Sequence, residues 1–390
     1  MKKNNLKAVS STAESSEQSI IIGLAITLEE KREIYRFRYR TYVEEMCKYI
    51  EDIDHANKLL YDEYDDWSFL LYAKIGSELI ATARVNIGSP AEFPRELADI
   101  FSWNTFQNYY AGNADRNLAF CARLMVAPCH RSSPALYLLM TRNYDLCYRN
   151  HVQFAFLGCN LHLIRLYEQM GFHRYFKNFT ATSYGLLVPL VFAVNDTQHL
   201  RMVRSPLLRI ARKMGAVHNQ AVDWFHKNFT ENSQIINSQV VHEDELWSLL
   251  CKSLNCPPTS TITILRDLSV ADAKKFLHCC AIFVQCEPGD LIINQDHISY
   301  AYNILVTGRL KSLTFQRPIR KFTLPGQHFG ANGLTEHHKH TEDIVAIDSS
   351  EILVLSGVAF QKFFSSHHDI AHKIVQSLRA ETKIKRLNGQ

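Results

Sequence analysis

Near residue 215 the chain changes its periodicity, and that change bounds every fold open to it. Before it, stretches with helical spacing alternate with apolar runs of strand length. From about residue 265 onward, short apolar runs are separated by Gly289, Gly308, Gly326 and Gly330. The first pattern requires helices packed on a mixed sheet, and the second a β-barrel or jelly roll. One core cannot serve both, so the 390 residues divide into at least two domains. Between them, residues 216–262 are polar and rich in Asn and Gln, with one helical segment at 243–254 and then Asn255-Cys-Pro-Pro-Thr-Ser260. Such clusters mark a linker. The expected layout is a disordered tail (1–18), a first domain (19–215), the linker (216–262), a second domain (263–385) and a closing tail (386–390).

Composition removes several classes. Lys and Arg number 43 against 39 Asp and Glu, a net charge of +4 with no clustering of the kind nucleic-acid binding needs. No helix-turn-helix pattern follows the last helical stretch, so DNA is not an expected partner. Ten cysteines are scattered without a CxxC pair, so neither a zinc site nor any other metal is expected, and reduced thiols suggest a cytoplasmic protein. The longest apolar stretch, 184–194, is too short to cross a bilayer, so no transmembrane segment is expected. Oligomeric state has no signal in the pattern.

In the first half, Thr27-Leu-Glu-Glu30 has the form of a helix-starting capping box. The helix it opens carries Ile34, Phe37, Arg38 and Tyr42. Strands are expected at 67–73 and 78–86, joined as a hairpin, and at 117–126 and 152–158. Helices are expected at 134–149 and 161–170, the latter stopped by Gly171. The strand-to-helix turn Met125-Val-Ala-Pro-Cys-His-Arg131-Ser-Ser-Pro-Ala135 would present helix-start N–H groups to a phosphate.

Asn160, and seven residues later Tyr167-Glu-Gln-Met-Gly-Phe172, resemble the signature of the GNAT superfamily of N-acyltransferases. The resemblance implies that Asn160 contacts a thioester donor and that Tyr167 protonates the departing thiolate. It also places Arg131, Ser132 and Ser133 at the donor, although Ser132, Ser133, Pro134 and Ala135 stand where the superfamily has a glycine-rich loop. Further residues are similar to those of the autoinducer synthases and N-acyl amino acid synthases. These are Arg38 and Tyr42 on the first helix, Asp62 and Asp65 three apart, Arg84 on a strand and Arg123 on a later one. Phe120 stands where that branch has an acidic residue, and His199-Leu-Arg201 with Ser205-Pro-Leu207 looks like its C-terminal segment.

This resemblance implies an α/β (α+β) acyltransferase fold with a mixed central sheet. Its catalytic set would be Tyr167, Asp62, Asp65 and Arg84, with Arg38 and Arg123 at the substrate. The donor would be an acyl-CoA or acyl carrier protein thioester, and the acceptor a small amine. A thioester is already activated, so such an enzyme mainly positions its two substrates and handles the proton and the oxyanion. A lysine acetyltransferase, or a two-domain scaffold without turnover, are the alternatives.

In the second half, Glu287-Pro-Gly-Asp290, Tyr302-Asn-Ile-Leu-Val-Thr-Gly308 and Leu324-Pro-Gly-Gln-His-Phe-Gly330 resemble the cyclic nucleotide-binding domain. That implies a mostly-β jelly roll with flanking helices. The family places a Glu after Gly330 for the ribose and an Arg nine residues later for the cyclic phosphate; here those positions hold Ala331 and His340. Each lost charged hydrogen bond costs roughly 1.5–3 kcal/mol. The expected role is a regulatory or docking module that does not take cyclic nucleotide in the usual way. Calorimetry with cyclic AMP should show no saturable binding near micromolar; such binding would refute this reading.

Overall fold

The capping box forms as its spacing predicts. Thr27 Oγ1 accepts the Glu30 N–H at 3.2 Å, and Glu30 Oε2 accepts the Thr27 N–H at 2.8 Å. Together they open α1 (Leu28–Tyr39), which continues as a wider π-helical turn over Arg40–Glu45. The computed structural model describes residues 19–51, 53–110, 117–131, 133–181, 184–230, 235–314 and 318–387. The tail at 1–18, Ser132 and residues 388–390 lie outside the described residues. None of the described helices is long and apolar enough to cross a membrane.

The first half is built on a mixed sheet of β1 (Ile20–Leu24), β2 (Phe69–Ile75), β3 (Glu78–Gly88), β4 (Leu118–Val126), β5 (Phe154–Asn160), β6 (His173–Arg174), β7 (Phe179–Ala181) and β8 (Gly185–Ala193). Their order is β1-β2-β3-β4-β5-β8-β6, with β7 also on β8. Only β4 and β5 run parallel, and their register stops at Phe120 opposite Phe156. On its other side β5 stays paired with β8 as far as Asn160 opposite Leu187. Past Phe120, β4 and β5 therefore splay apart and leave a cleft at the centre of the sheet.

Two short helices, α2 (Arg95–Ile100) and α3 (Trp103–Tyr110), follow β3. On the chain after β4, α4 (Ala135–Arg149) packs against β2, β3 and β4. Then α5 (Ile164–Met170) ends at Gly171, whose φ of +113° is left-handed. A Cβ there would lie 2.4 Å from Leu200 Cδ2, so glycine is required on both counts. The residues read as a linker with one helix also hold two more, Gln220–Phe225 and the short Pro258–Thr261; the first of these packs inward. Its Val222 and Phe225 are buried among Phe154, Phe106 and Tyr175 of the first half. His226 Nε2 meets Asp196 Oδ2 at 2.6 Å, and His173 Nε2 lies 3.7 Å from the same oxygen.

The second half is two four-stranded antiparallel sheets. One has the order β10-β15-β12-β13 and the other β14-β11-β16-β9. The strands are β9 (Ala281–Cys286), β10 (Leu291–Ile293), β11 (Ala301–Thr307), β12 (Leu310–Leu313), β13 (Lys321–Phe322), β14 (His328–Phe329), β15 (Asp343–Ala346) and β16 (Ser350–Ser356). Helices at Glu243–Leu254, Val270–Cys280, Gly357–Ser366 and His368–Leu387 flank them. Leu246, Leu250, Phe276 and Phe363 of these helices share a core with Tyr302 and Leu353.

The two halves are joined by buried polar contacts. Arg174 donates to the carbonyls of Phe283 and Ile236, each at 2.5 Å, and its Nε bonds Glu168 Oε1 at 2.7 Å. Ser356 Oγ donates to the His162 carbonyl at 2.7 Å. Replacing Arg174 by Met removes both donations and leaves Glu168, only 3% exposed, without its counter-charge. A loss of about 3–5 kcal/mol is expected in a denaturant melt.

Candidate active site

Site geometry starts from an irregularity in β4. Pairing with β3 jumps from Arg84 opposite Ala122 to Thr82 opposite Met125, so one β3 residue faces two on β4. This is a β-bulge, and Arg123 within it takes a left-handed φ of +55°. A non-glycine residue in that region is strained by about 1–3 kcal/mol, so its surroundings must hold it there. Arg123 Nη2 bonds Asp62 Oδ2 at 2.8 Å, and Nη1 donates to the Tyr184 hydroxyl.

From Arg123 the charges alternate inward. Asp62 Oδ1 takes Arg84 Nη1, which also lies 3.3 Å from Asp65 Oδ1. Both Asp65 carboxylate oxygens accept from Arg38 Nη1, at 2.8 Å each. Arg38 is fully buried and Asp65 is 1% exposed. The backbone N–H of Asp62 donates to Asp65 Oδ2 at 3.0 Å, which fixes the two carboxylates relative to one another. Burial pulls against ionisation of Asp62, yet the Arg84 and Arg123 guanidiniums hold its carboxyl below the usual range. Burial lowers the Arg38 pKa from its ordinary value, and Asp65 opposes that. Three guanidiniums face two carboxylates, so one positive charge is unbalanced.

The splay between β4 and β5 opens into a cavity of about 340 Å³. Asp62, Arg84 and Arg123 line one end, and Asn160, Tyr167 and Tyr184 line the adjoining wall. Phe120, Leu124, Met140 and Leu157 make the depth apolar. From the apolar run at 184–194, Leu187 lines this cavity. The volume falls within the roughly 300–1,000 Å³ of small-molecule sites. Burial pushes the Tyr167 phenol well above its ordinary pKa, so it carries its proton at neutral pH. The Asn160 side-chain amide donates to the Tyr184 carbonyl at 3.1 Å.

The structure thus brings Asp62, Arg84, Arg123, Asn160 and Tyr167 to one cavity. Arg38 and Asp65 stand behind it and do not line it. Arg131 and Ser133 lie apart. Arg131 pairs with Glu45 and donates Nε to the Val126 carbonyl at 3.3 Å. Ser133 Oγ accepts the Ala135 N–H at 3.3 Å, and Pro134 has no N–H, so the start of α4 offers few free donors. Tyr184 is a member of the site that sequence reasoning missed. Its only sequence signal is a position at the head of the apolar run.

In the second half, Gly330, Ala331 and His340 also meet. His340 Nδ1 accepts the Ala331 N–H at 3.0 Å, and burial, with His297 adding, pulls its pKa down to about 4. A neutral histidine of the chain therefore occupies the amide that follows Gly330.

The protein is thus a splayed mixed sheet with this charge chain, followed by a jelly roll with flanking helices. Residues 33–193 match the family model described as N-acyl amino acid synthase FeeM, and residues 283–367 match the cyclic nucleotide-binding domain. The chain carries these two domains in that order. No curated protein matches it. Among solved structures, the N-acyl amino acid synthase FeeM from uncultured soil microbes is 14% identical, with 49% of this chain and 97% of that one covered and a TM-score of 0.37. The AHL synthase LasI is 13% identical over 52% and 98% of the two chains, with a TM-score of 0.37. A cyclic nucleotide-binding domain from Methylobacillus flagellatus is 14% identical over 35% and 79%, with a TM-score of 0.29.

Substituting Asp65 by Ala strands the buried Arg38 guanidinium, two of whose nitrogens already lack a partner. A stability loss of about 3–5 kcal/mol is expected by urea unfolding. An equal loss for Asp62→Ala, whose carboxylate is more exposed, would contradict this ranking.

Proposed function

We propose that the first domain is an N-acyltransferase that moves a fatty acyl group from a thioester to the amine of an amino acid or similar small amine. The observation that carries this reading is one cavity at the sheet splay whose lining joins Asp62, Arg84 and Arg123, the Tyr167 side chain and many apolar residues. The unbalanced positive charge of Arg38, Arg84 and Arg123 against Asp62 and Asp65 suits an acceptor carboxylate, which Arg84 and Arg123 can bind. Asp62 is held ionised by two guanidiniums, so it is a weak base. It orients the acceptor ammonium, whose proton leaves to solvent before attack. Arg38 and Asp65 are positioning residues that hold Arg84 and Asp62.

The amine nitrogen attacks the thioester carbonyl carbon, a C–N bond forms, the nitrogen gives up its second proton to solvent, and the C–S bond breaks to release a thiolate. Backbone N–H groups of β4 beyond Phe120, where its ladder with β5 ends, would receive the oxyanion. The Tyr167 hydroxyl hydrogen-bonds to the departing sulfur and helps carry its charge. The partners already bound by Arg131 and Ser133 favour acyl carrier protein over CoA as donor, since a carrier-borne thioester needs no pyrophosphate cradle at α4. A lysine acetyltransferase would leave the apolar depth without use. The second domain acts as a regulatory module, and a cytoplasmic setting agrees with ten free thiols.

Mass spectrometry of acyl carrier protein charged with acyl chains of several lengths, incubated with the protein and an amino acid mixture, tests this. Deacylation with an N-acyl amino acid product is expected. Tyr167→Phe should lower kcat by about a hundredfold with an unchanged melting temperature. No deacylation at any length, with acyl-CoA equally inert, would overturn the proposal.

A further inference from the structure

A second cavity, of about 100 Å³, lies on the seam between the two domains. Asn160 and Tyr184 form part of its wall as well as part of the transfer cavity, so the two spaces adjoin. Lys48 and His162 enter it from the first domain, and His297 and His340 from the second. Among the described residues that line it there is no carboxylate.

Lys48 is the unusual member. It is only 8% exposed, and its ammonium forms no ion pair with any described carboxylate. Its contacts are the Tyr184 and Tyr42 rings, with Nζ at 4.4 and 6.0 Å from their centroids. Arg123 lies near enough to repel it, and burial brings its pKa down to about 8. Burying an unpaired ammonium is costly, and ring faces repay only part of that cost. The imidazoles around it offer N–H groups. His340 accepts the Ala331 amide through Nδ1, which leaves its proton on Nε2. The seam is closely fitted: Gly185 has a φ of +74°, and a Cβ there would lie 2.4 Å from Asn294 Oδ1.

One ammonium without an ion-pair partner and three imidazoles, with no carboxylate in the lining, form an anion site; Asp296 and Asp343, which act on His297, are not among the lining residues. The geometry points to the seam cavity as a phosphate-binding site, built by Lys48 of the synthase domain with His297 and His340 of the cyclic nucleotide-binding domain. Its volume of about 100 Å³ is ample for a phosphate head, which needs the room of a few waters. The phosphate comes either from the pantetheine arm of the thioester donor or from a free phosphorylated metabolite. The first source rests on the acyl-transfer reading above, because the arm would pass Asn160 to reach Tyr167. Either source makes occupancy depend on both domains, so the second domain gains a direct effect on the first without any ligand in its own cassette.

The test is calorimetry on the full chain with inorganic phosphate, 4′-phosphopantetheine, unphosphorylated pantetheine and AMP. Wild type should bind a phosphorylated probe saturably and pantetheine at least tenfold more weakly, as loss of a charge-assisted contact implies. Lys48→Met should weaken the phosphorylated probe by a similar factor, Lys48→Arg should largely restore it, and His297→Ala should weaken it from the other domain. Thermal melts verify that each variant is folded. Preference for 4′-phosphopantetheine assigns the donor arm, and equal binding of inorganic phosphate or AMP assigns a free ligand. No saturable binding of any phosphorylated probe, or equal binding by folded Lys48→Met, overturns the site. Because binding is read without turnover, an inert enzyme that still binds phosphate through Lys48 would count against acyl transfer alone. Turnover with an unchanged donor KM in Lys48→Met would count against the donor arm alone.

Discussion

The buried chain of alternating charges from Arg38 through Asp65, Arg84 and Asp62 to Arg123 is the constraint on which the first domain turns. Each of these groups is costly to remove from water, and each is tolerable only because its neighbour has the opposite sign. The chain joins α1, the turn at Asp62–Asp65, β3 and β4, then continues through the Arg123–Tyr184 contact to the head of β8. It also accounts for the backbone. The bulge that puts Arg123 at a φ of +55° is unfavourable locally and is held by the bonds its guanidinium makes. The same bulge and the end of the β4–β5 ladder at Phe120 occur within a few residues, so charge placement and cleft share one origin.

The second domain is more than an appendage. Arg174, Asn178 and His162 of the first half exchange hydrogen bonds with Phe283, Gln285 and Ser356 of the second. The seam also reaches the wall formed by Asn160 and Tyr184, which belongs to the transfer cavity as well. A change in the jelly roll near Asn294 or His297 therefore has a short physical route to the candidate active site. The nucleotide cassette itself is closed from within, because His340 takes the Ala331 amide.

Much of this was legible in the chain. The capping box at Thr27, the stop at Gly171 and the glycine turns of the second half are local devices, each set by a few adjacent residues and their permitted φ. The candidate residues were also legible as types in a pattern. What spacing did not reveal was their depth: Asp62 borders the cavity, whereas Asp65, three residues on, lies behind it against Arg38. Residues 220–230 read as linker because their polar neighbours hide two inward positions, Val222 and Phe225. Lys48 has no local signal and Tyr184 only its place at the head of an apolar run, since their roles arise from contacts with residues distant in sequence.

By itself the sequence determined the two periodicities, the element boundaries near capping residues and glycines, and which acids, arginines and tyrosine are present to do chemistry. These depend on interactions between residues within a few positions of each other. Only the tertiary structure decided which of the arginines and acids border the cavity, where β4 bulges, and that Lys48 is buried beside histidines of the other domain. Those facts rest on desolvation and on distances between segments far apart in the chain, and neither exists until the sheet and the seam have closed.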